Sequence, residues 1–308
     1  MSCHVVLAVG DRYEKTYRDF VRIAAVLESR GVRSHVVHHR WNAEIPLTWL
    51  WSRPTISLIP VGKSERKLLP GRVFAGRRIN KIEEYSTLEA AGVSIPKWTE
   101  ITPSTAFAPE EWGPYVVSKP STSMRGAEVR IRKTSRLRYV APDDFPDGHP
   151  GRKGPMIAQT FVYTGEWPTT YRVVTLFGKV LLCYRQVTRS RGAPLKGRWG
   201  FTDGISIVSN TKTMEIALVD DEEVMKLGSS AHDAAFPEIP LLQFDIARDI
   251  ETGMLFVLEC HPWEKFWPFA HGQSIRAQQQ NEVDFDNQFG AMERAGAAIA
   301  DRAMTLLA

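Results

Sequence analysis

Cysteine and long apolar runs are scarce in this sequence. Only Cys3, Cys183 and Cys260 occur in 308 residues. Three widely separated thiols cannot build a disulfide framework or a zinc knuckle, so a reducing, cytoplasmic setting is expected. No apolar run approaches the roughly 20 residues of a membrane-spanning helix, so no membrane partner is expected. The start, Met1-Ser2-Cys3-His4 and then a short apolar run, lacks the charged head and cleavage pattern of a signal peptide. Internal repeats and low-complexity tracts are missing as well. The net charge of +4 is too small to argue for nucleic acid by itself and suits anionic small ligands. What is there is globular: 43% hydrophobic and 24% charged residues exclude disorder and fibrous structure. The length suggests two lobes or one elaborate fold.

Hydrophobic periodicity divides the chain. Val5 to Val9 reads as a buried strand, Tyr13 to Arg30 as a helix stopped by Gly31, and Ser34 to His38 and Thr55 to Ile59 as further strands. This gives an N-terminal α/β lobe over residues 1–75, with a polar, basic junction around Gly62 to Gly76. A helix from about Ile79 to Ala91 follows, closed by Gly92 and Pro96. Short β-type runs then recur at Tyr115–Lys119, Glu128–Arg132, Met156–Val162, Tyr171–Leu176, Lys179–Val187, Leu241–Arg248 and Leu255–Cys260. Helices at about Asp220–Ala235 and Asp286–Leu307 complete an α+β body over residues 76–308, divided into a small lobe, 76–155, and a C-terminal lobe, 156–308.

Three segments carry chemistry. Leu241–Arg248 and Leu255–Cys260 read as an antiparallel hairpin. In the register pairing Arg248 with Phe256, Asp245 faces Glu259, and His261 joins their face. Facing carboxylates repel, and a divalent cation such as Mg²⁺ or Mn²⁺ would offset that; a solvent-facing edge hairpin is the plainer alternative. Second, Lys119 stands at the mouth of a small-residue loop, Ser121-Thr122-Ser123-Met124-Arg125-Gly126. Exposed backbone N–H groups there can cradle phosphate oxygens, although an ordinary polar hairpin has the same look. The P-loop pattern is absent. Third, the strand Ile157 to Val162 runs through Gln159, Thr160 and Phe161 into a polar turn. It can present backbone groups to a purine edge, with Glu166 placed to accept from ribose hydroxyls.

In order and spacing, these pieces resemble the ATP-grasp superfamily of carboxylate–amine ligases. Asn80-Lys81 and the helix ending Ala90-Ala91-Gly92-Val93-Ser94-Ile95-Pro96 are similar to its first lysine segment. Val116 to Gly126 resembles the second lysine strand and phosphate loop, and Gln159 to Val162 the adenine hinge. Tyr171-Arg172-Val173 through Arg185 resembles its arginine strand pair. Asp245 with Leu258-Glu259-Cys260-His261-Pro262 resembles the metal-binding Asp and the Glu-x-Asn-Pro signature.

The resemblance implies an ATP-grasp fold with a Rossmann-like, pre-ATP-grasp N-terminal lobe. It implies Lys81, Lys119 and Ser121 to Ser123 on the ATP phosphates, Gln159 to Val162 at adenine and Glu166 near ribose. Asp245 and Glu259 would hold Mg²⁺, with His261 either a third ligand, favouring Mn²⁺ somewhat, or an acid or base. Arg172 and Arg185 would serve a substrate carboxylate or its phosphorylated form. The activity implied is amide or peptide bond formation from a small amino-acid-like carboxylate and an amine through an acyl phosphate, releasing ADP and phosphate. A small-molecule kinase and a nucleotide-binding module without turnover are the alternatives, and a homodimer is left open. The sequence departs from the family in its single loop glycine, in His261 for Asn, and in Gln243 where D-alanine-ligase relatives carry Arg.

Other signals have plainer readings. His35, His38 and His39 lack an acidic or cysteine partner nearby, so a solvated turn, or else a loop that helps bind a substrate, is expected rather than zinc. Arg125, Arg130, Arg132, Lys133, Arg136 and Arg138 suggest solvated or ATP-facing charge rather than a nucleic-acid surface. Trp263, Phe266, Trp267 and Phe269 are expected in the core, or as an aromatic wall for the acceptor substrate.

Overall fold

The computed structural model describes residues 3–10, 13–38, 48–61, 69–122, 126–189, 214–262 and 267–306. The chain begins with β1 (His4–Val9), α1 (Glu14–Ser29), β2 (Arg33–His38), β3 (Thr55–Ile59) and β4 (Arg72–Ala75). These strands form one parallel sheet in the order β2-β1-β3-β4. Every β1 residue is buried, as expected for a parallel strand covered on both faces. Helix α1 buries Thr16, Asp19, Phe20, Ile23 and Leu27, one stripe at helical spacing.

Next come α2 (Lys81–Ala90), β5 (Trp98–Glu100), α3 (Pro109–Trp112), β6 (Tyr115–Pro120), β7 (Arg130–Lys133) and β8 (Met156–Thr160). Strands β5-β8-β6-β7 make a small antiparallel sheet. Because β8 pairs with β5 and β6, this sheet runs past the division at residues 155 and 156 expected from sequence. The chain continues through β9 (Thr169–Leu176), β10 (Lys179–Thr188), β11 (Met214–Leu218), α4 (Glu222–Ala235), β12 (Leu241–Arg248), β13 (Leu255–Cys260), α5 (Gly272–Asn281) and α6 (Ala291–Thr305). A five-stranded antiparallel sheet, β11-β10-β9-β12-β13, is the frame of this part. Among the described residues no helix is long and apolar enough to cross a membrane.

The first lobe does not keep its core to itself. Phe20, Ile23 and Leu27 share one apolar cluster with Trp267, Phe269, Ala295 and Ile299, and with Val174 and Leu241 of the five-stranded sheet. Gly296 lets α6 lie against α1: a Cβ there would sit 2.5 Å from the Val26 side chain and 3.3 Å from the Ile23 carbonyl oxygen. The buried Asp19 carboxylate accepts from Trp267 Nε1 at 3.1 Å and from Lys15 at 3.3 Å. Trp267 and Phe269 are thus core residues; Trp263 and Phe266 lie outside the described residues.

The histidine cluster is not a solvated turn. His38 is fully buried against the Tyr17 ring, and His35 stacks on His4 with ring centroids 5.7 Å apart. Strand β2 carries both rings onto packed faces of the parallel sheet. His39 lies outside the described residues.

Candidate active site

Strand β12 lies between β9 and β13, and its register lines up three charged side chains across the sheet. Asp245 is opposite Arg172 on β9 and opposite Glu259 on β13. The pairing of the two carboxylates agrees with the sequence expectation, but the hairpin reaches it differently. At its turn end Arg248 pairs with Leu255 and Ala247 with Phe256, one residue off the expected register. A bulge between Ile246 and Asp245 inserts one extra residue on β13 and restores the Asp245–Glu259 pair. The bulge also turns the Leu258 carbonyl into the site, where it accepts from Tyr85 Oη at 2.5 Å and from Lys119 Nζ at 3.4 Å.

The carboxylates are held by cations of the protein itself. Arg172 grips Asp245 with two bonds, Nε to Oδ1 and Nη2 to Oδ2, each 2.8 Å. Burial pushes the Asp245 carboxyl up, but the Arg172 charge outweighs it and keeps the group well below the usual carboxylate range. His261 Nε2 lies 3.6 Å from Asp245 Oδ2. Glu259 accepts from Lys81 Nζ. Burial opposes the charge on both partners, yet their attraction raises Lys81 and lowers Glu259. Among the described residues no three His, Cys, Asp or Glu side chains are arranged to hold a metal ion. The expected Asp245, Glu259 and His261 are gathered here within an ion-pair network.

Helix α2 supplies Lys81 through its N-terminus. Asn80 caps it by accepting from Glu83 N at 2.9 Å. The Lys81 amide donates to the Ser121 carbonyl at 2.9 Å, which ties the helix to the start of the small-residue loop. Across from it Lys119, 5% exposed, donates to Gln159 Oε1 at 2.9 Å and to the Tyr85 hydroxyl. Burial first, and the nearby Lys81 charge second, lower the Lys119 ammonium to about 8. Behind this pair sits Glu84, fully inside, its carboxylate accepting from Cys260 N at 2.6 Å. Burial raises it to about 7 against the pull of Lys81.

Two buried polar atoms here have no hydrogen-bond partner, Ser121 Oγ and Gln159 Nε2. A buried ammonium among neutral acceptors, a vacant hydroxyl and a vacant amide N–H fit a polyanionic ligand with acceptor oxygens or nitrogens. Thr122 is exposed at the loop, and Ser123 lies outside the described residues. Phe161 and Val162 follow β8 half-buried, and Phe161 packs near Tyr163. Thr160 pairs with Val116, so its side chain shares the sheet face opposite Gln159 and Lys119. Glu166 is exposed in the loop before β9.

Arg185 is not brought to this cluster. It is registered against Tyr171, whereas Arg172 is registered against Tyr184. Opposed residues share a face, so the two arginines point to opposite sides of the sheet. Arg132 likewise shares a face with Val116 and Ser118, away from Lys119, which rules out an ATP-facing role alongside that lysine. Sequence reasoning missed Glu84, Tyr85 and the Leu258 carbonyl. Lys81, Glu84, Tyr85 and Leu88 do carry a signal, a buried helical stripe with two charged members.

No family model matches the sequence, and no curated protein matches it. Solved structures do. A D-cycloserine synthetase is 16% identical over 97% of this chain and 99% of its own, with a TM-score of 0.52. A D-alanine–D-alanine ligase from Bacillus anthracis complexed with ATP is 11% identical over 98% and 99%, with a TM-score of 0.47. A RiPP-associated ATP-grasp ligase from Chryseobacterium gregarium, in complex with ADP and a leader and core peptide, is 11% identical over 99% and 97%, with a TM-score of 0.49. The first of these covers nearly the whole of this chain, and the chain has the ATP-grasp fold.

Proposed function

We propose that the chain is an ATP-dependent ligase joining a small amino-acid-like carboxylate to an amine through an acyl phosphate. The observation that carries this reading is the convergence of Lys81 and Lys119 from two different elements beside the unpartnered Ser121 hydroxyl. Phosphoryl transfer asks a protein mainly for positioning and for charge placed around the moving phosphoryl group. Lys119, held by neutral acceptors, would turn its ammonium to phosphate oxygens at little cost in lost ion pairing. Lys81 would do so by loosening from Glu259. Gln159 would offer its free amide N–H to the nucleotide, and Phe161 and Val162 would flank the base.

Arg172 would meet the substrate carboxylate, or the acyl phosphate made from it, by sharing its guanidinium with Asp245. Its planar fork suits both oxyanions. The amine then attacks the acyl carbon and phosphate leaves, so the balance is ATP, acid and amine to ADP, phosphate and amide. Magnesium would be carried in with the nucleotide. Asp245 and Glu259 would meet it only after releasing Arg172 and Lys81.

Nucleotide products, read by ³¹P NMR across a panel of amino acids, small peptides and amines, test this. The expected products are ADP and free phosphate, formed only when acid and amine are both present. Hydroxylamine in place of the amine should trap a hydroxamate. AMP and pyrophosphate would overturn the mechanism, and ADP with the phosphate retained on an organic product would identify a kinase instead.

A further inference from the structure

The small sheet has a second concave face. Val116 pairs with Arg132 and Ser118 with Arg130 and Ala158, whereas Lys119 pairs with Ile157. The face bearing Ser118 and Arg132 is therefore the one turned away from the two lysines. On it lies a cavity of about 630 Å³, walled by the segments 100–103, 136–145 and 151–156. That size lies within the usual range for a small-molecule site.

Its lining is lopsided in charge. Arg132, Arg136, Arg138, Arg152 and Lys153 reach it, and among the described residues Glu100 is the one carboxylate on the wall. Arg138 and Arg152 are engaged mostly by backbone carbonyls: Leu137 O at 2.6 Å, and Asp143 O at 3.0 Å with Phe145 O. Arg152 also lies 3.7 Å from the exposed Asp147. The Arg132 and Lys153 side chains have no hydrogen-bond or ion-pair partner among the described residues. Clustered cations repel, and an anion is what offsets that. Between them the floor is apolar, formed by Ile101, Leu137 and Met156. Ser118 stands in this floor, only 4% exposed.

We propose that this cavity binds a small organic anion, its apolar body on Ile101, Leu137 and Met156 and its carboxylate or phosphate between Arg132 and Lys153. The concave, apolar floor favours a compact ligand over a nucleic-acid strand, which asks for a stripe of charge along an open groove. The site does not depend on the ligase reading, since it lies on the other face of the sheet.

Fluorescence titration of the full chain with 8-anilinonaphthalene-1-sulfonate tests it. The competitors are 2-naphthoate, 2-naphthyl phosphate, the neutral 2-naphthalenemethanol, ATP and a short oligonucleotide. One saturable site is expected, displaced by a naphthyl anion at least tenfold better than by the alcohol. Which anion wins assigns the head group. Arg132→Gln with Lys153→Gln, both on accessible side chains, should weaken probe binding at least tenfold with the circular dichroism unchanged. Independently, Ser118→Leu should exclude the probe by filling the floor. Binding untouched by the charge variant in folded protein, equal displacement by the alcohol, or displacement by ATP or the oligonucleotide but not by the naphthyl anions would each overturn the proposal.

Discussion

Glu84 is a carboxylate placed where a carboxylate is least comfortable, and replacing it with Gln should stabilise the protein at alkaline pH. Its side chain is enclosed by α2 and β13, and burial lifts it from 4.5 to about 7. The unfolded chain releases the proton near 4.5, while the native state keeps it until about 7. Between those values the native state binds more protons than the unfolded state, so stability falls as pH rises through the window. At about 1.4 kcal/mol for each pH unit, the loss totals about 3 kcal/mol. Glu84→Gln keeps a carbonyl oxygen for the Cys260 amide and removes the titration. Parent and variant should match near pH 5 and differ by about 3 kcal/mol in the variant's favour at pH 8. Urea unfolding at pH 5, 6, 7 and 8 reads this from the midpoints, provided the slopes agree. A variant weaker than the parent at pH 8 would refute the reasoning. It would mean that the attraction of the ionised Glu84 to Lys81 exceeds the cost of burying it.

Lys119 should impose an alkaline limb on nucleotide binding. Because its ammonium loses its proton at about 8, affinity for an ATP analogue, measured by calorimetry, should fall roughly tenfold per pH unit above that value. Lys119→Met should flatten the limb, and a flat parent profile up to pH 9.5 would count against the assignment. With Asp245 and Glu259 engaged by Arg172 and Lys81, the nucleotide-free parent should bind no Mn²⁺ by electron paramagnetic resonance, whereas Arg172→Met should admit it. That variant should also lose about 3 kcal/mol of stability through the unpaired Asp245; stoichiometric Mn²⁺ on the parent would mean the ion pairs yield to the metal without help from nucleotide. Gly296→Ala should lower the melting temperature although Ala is the better helix former by about 1 kcal/mol, because overpacking against Val26 costs about 1–3 kcal/mol. A rise would show that α6 can shift away from α1.

What was legible in the sequence was whatever rests on period and order. The strands holding Asp245 and Glu259, and the lysines at the start of α2 and near the end of β6, follow from local patterns that the tertiary structure kept. The bulge on β13 was not legible, since Val257-Leu258-Glu259 alternates no differently from an unbroken strand; the partner strand and the Tyr85 hydroxyl select it. Arg172 and Arg185 looked like a team because both lie in one hairpin, but side-chain period two over that register sends them to opposite faces. Helix α5 was missed for want of a signal: Gly272 to Asn281 buries no residue fully, so no apolar stripe marks it. Strand β5 is three residues long, too short for alternation to show.

The cluster shared by α1 and α6 has a consequence for synthesis. Asp19 waits for Trp267, 248 positions later, and Lys15 for Asp286, 271 positions later. A nascent chain that has exposed β1 to β4 therefore holds an unfinished core, with Phe20 and Ile23 uncovered and a buried-type carboxylate lacking its indole donor. Closing so long a loop adds little entropy per extra residue but delays the contact until the segment around Trp267 has left the ribosome. During that interval the parallel sheet is the segment most open to chaperones and to pairing with other chains. Ribosome-stalled chains ending before residue 267 should leave this lobe protease-sensitive, and the helix of residues 291–305 is the piece that seals it.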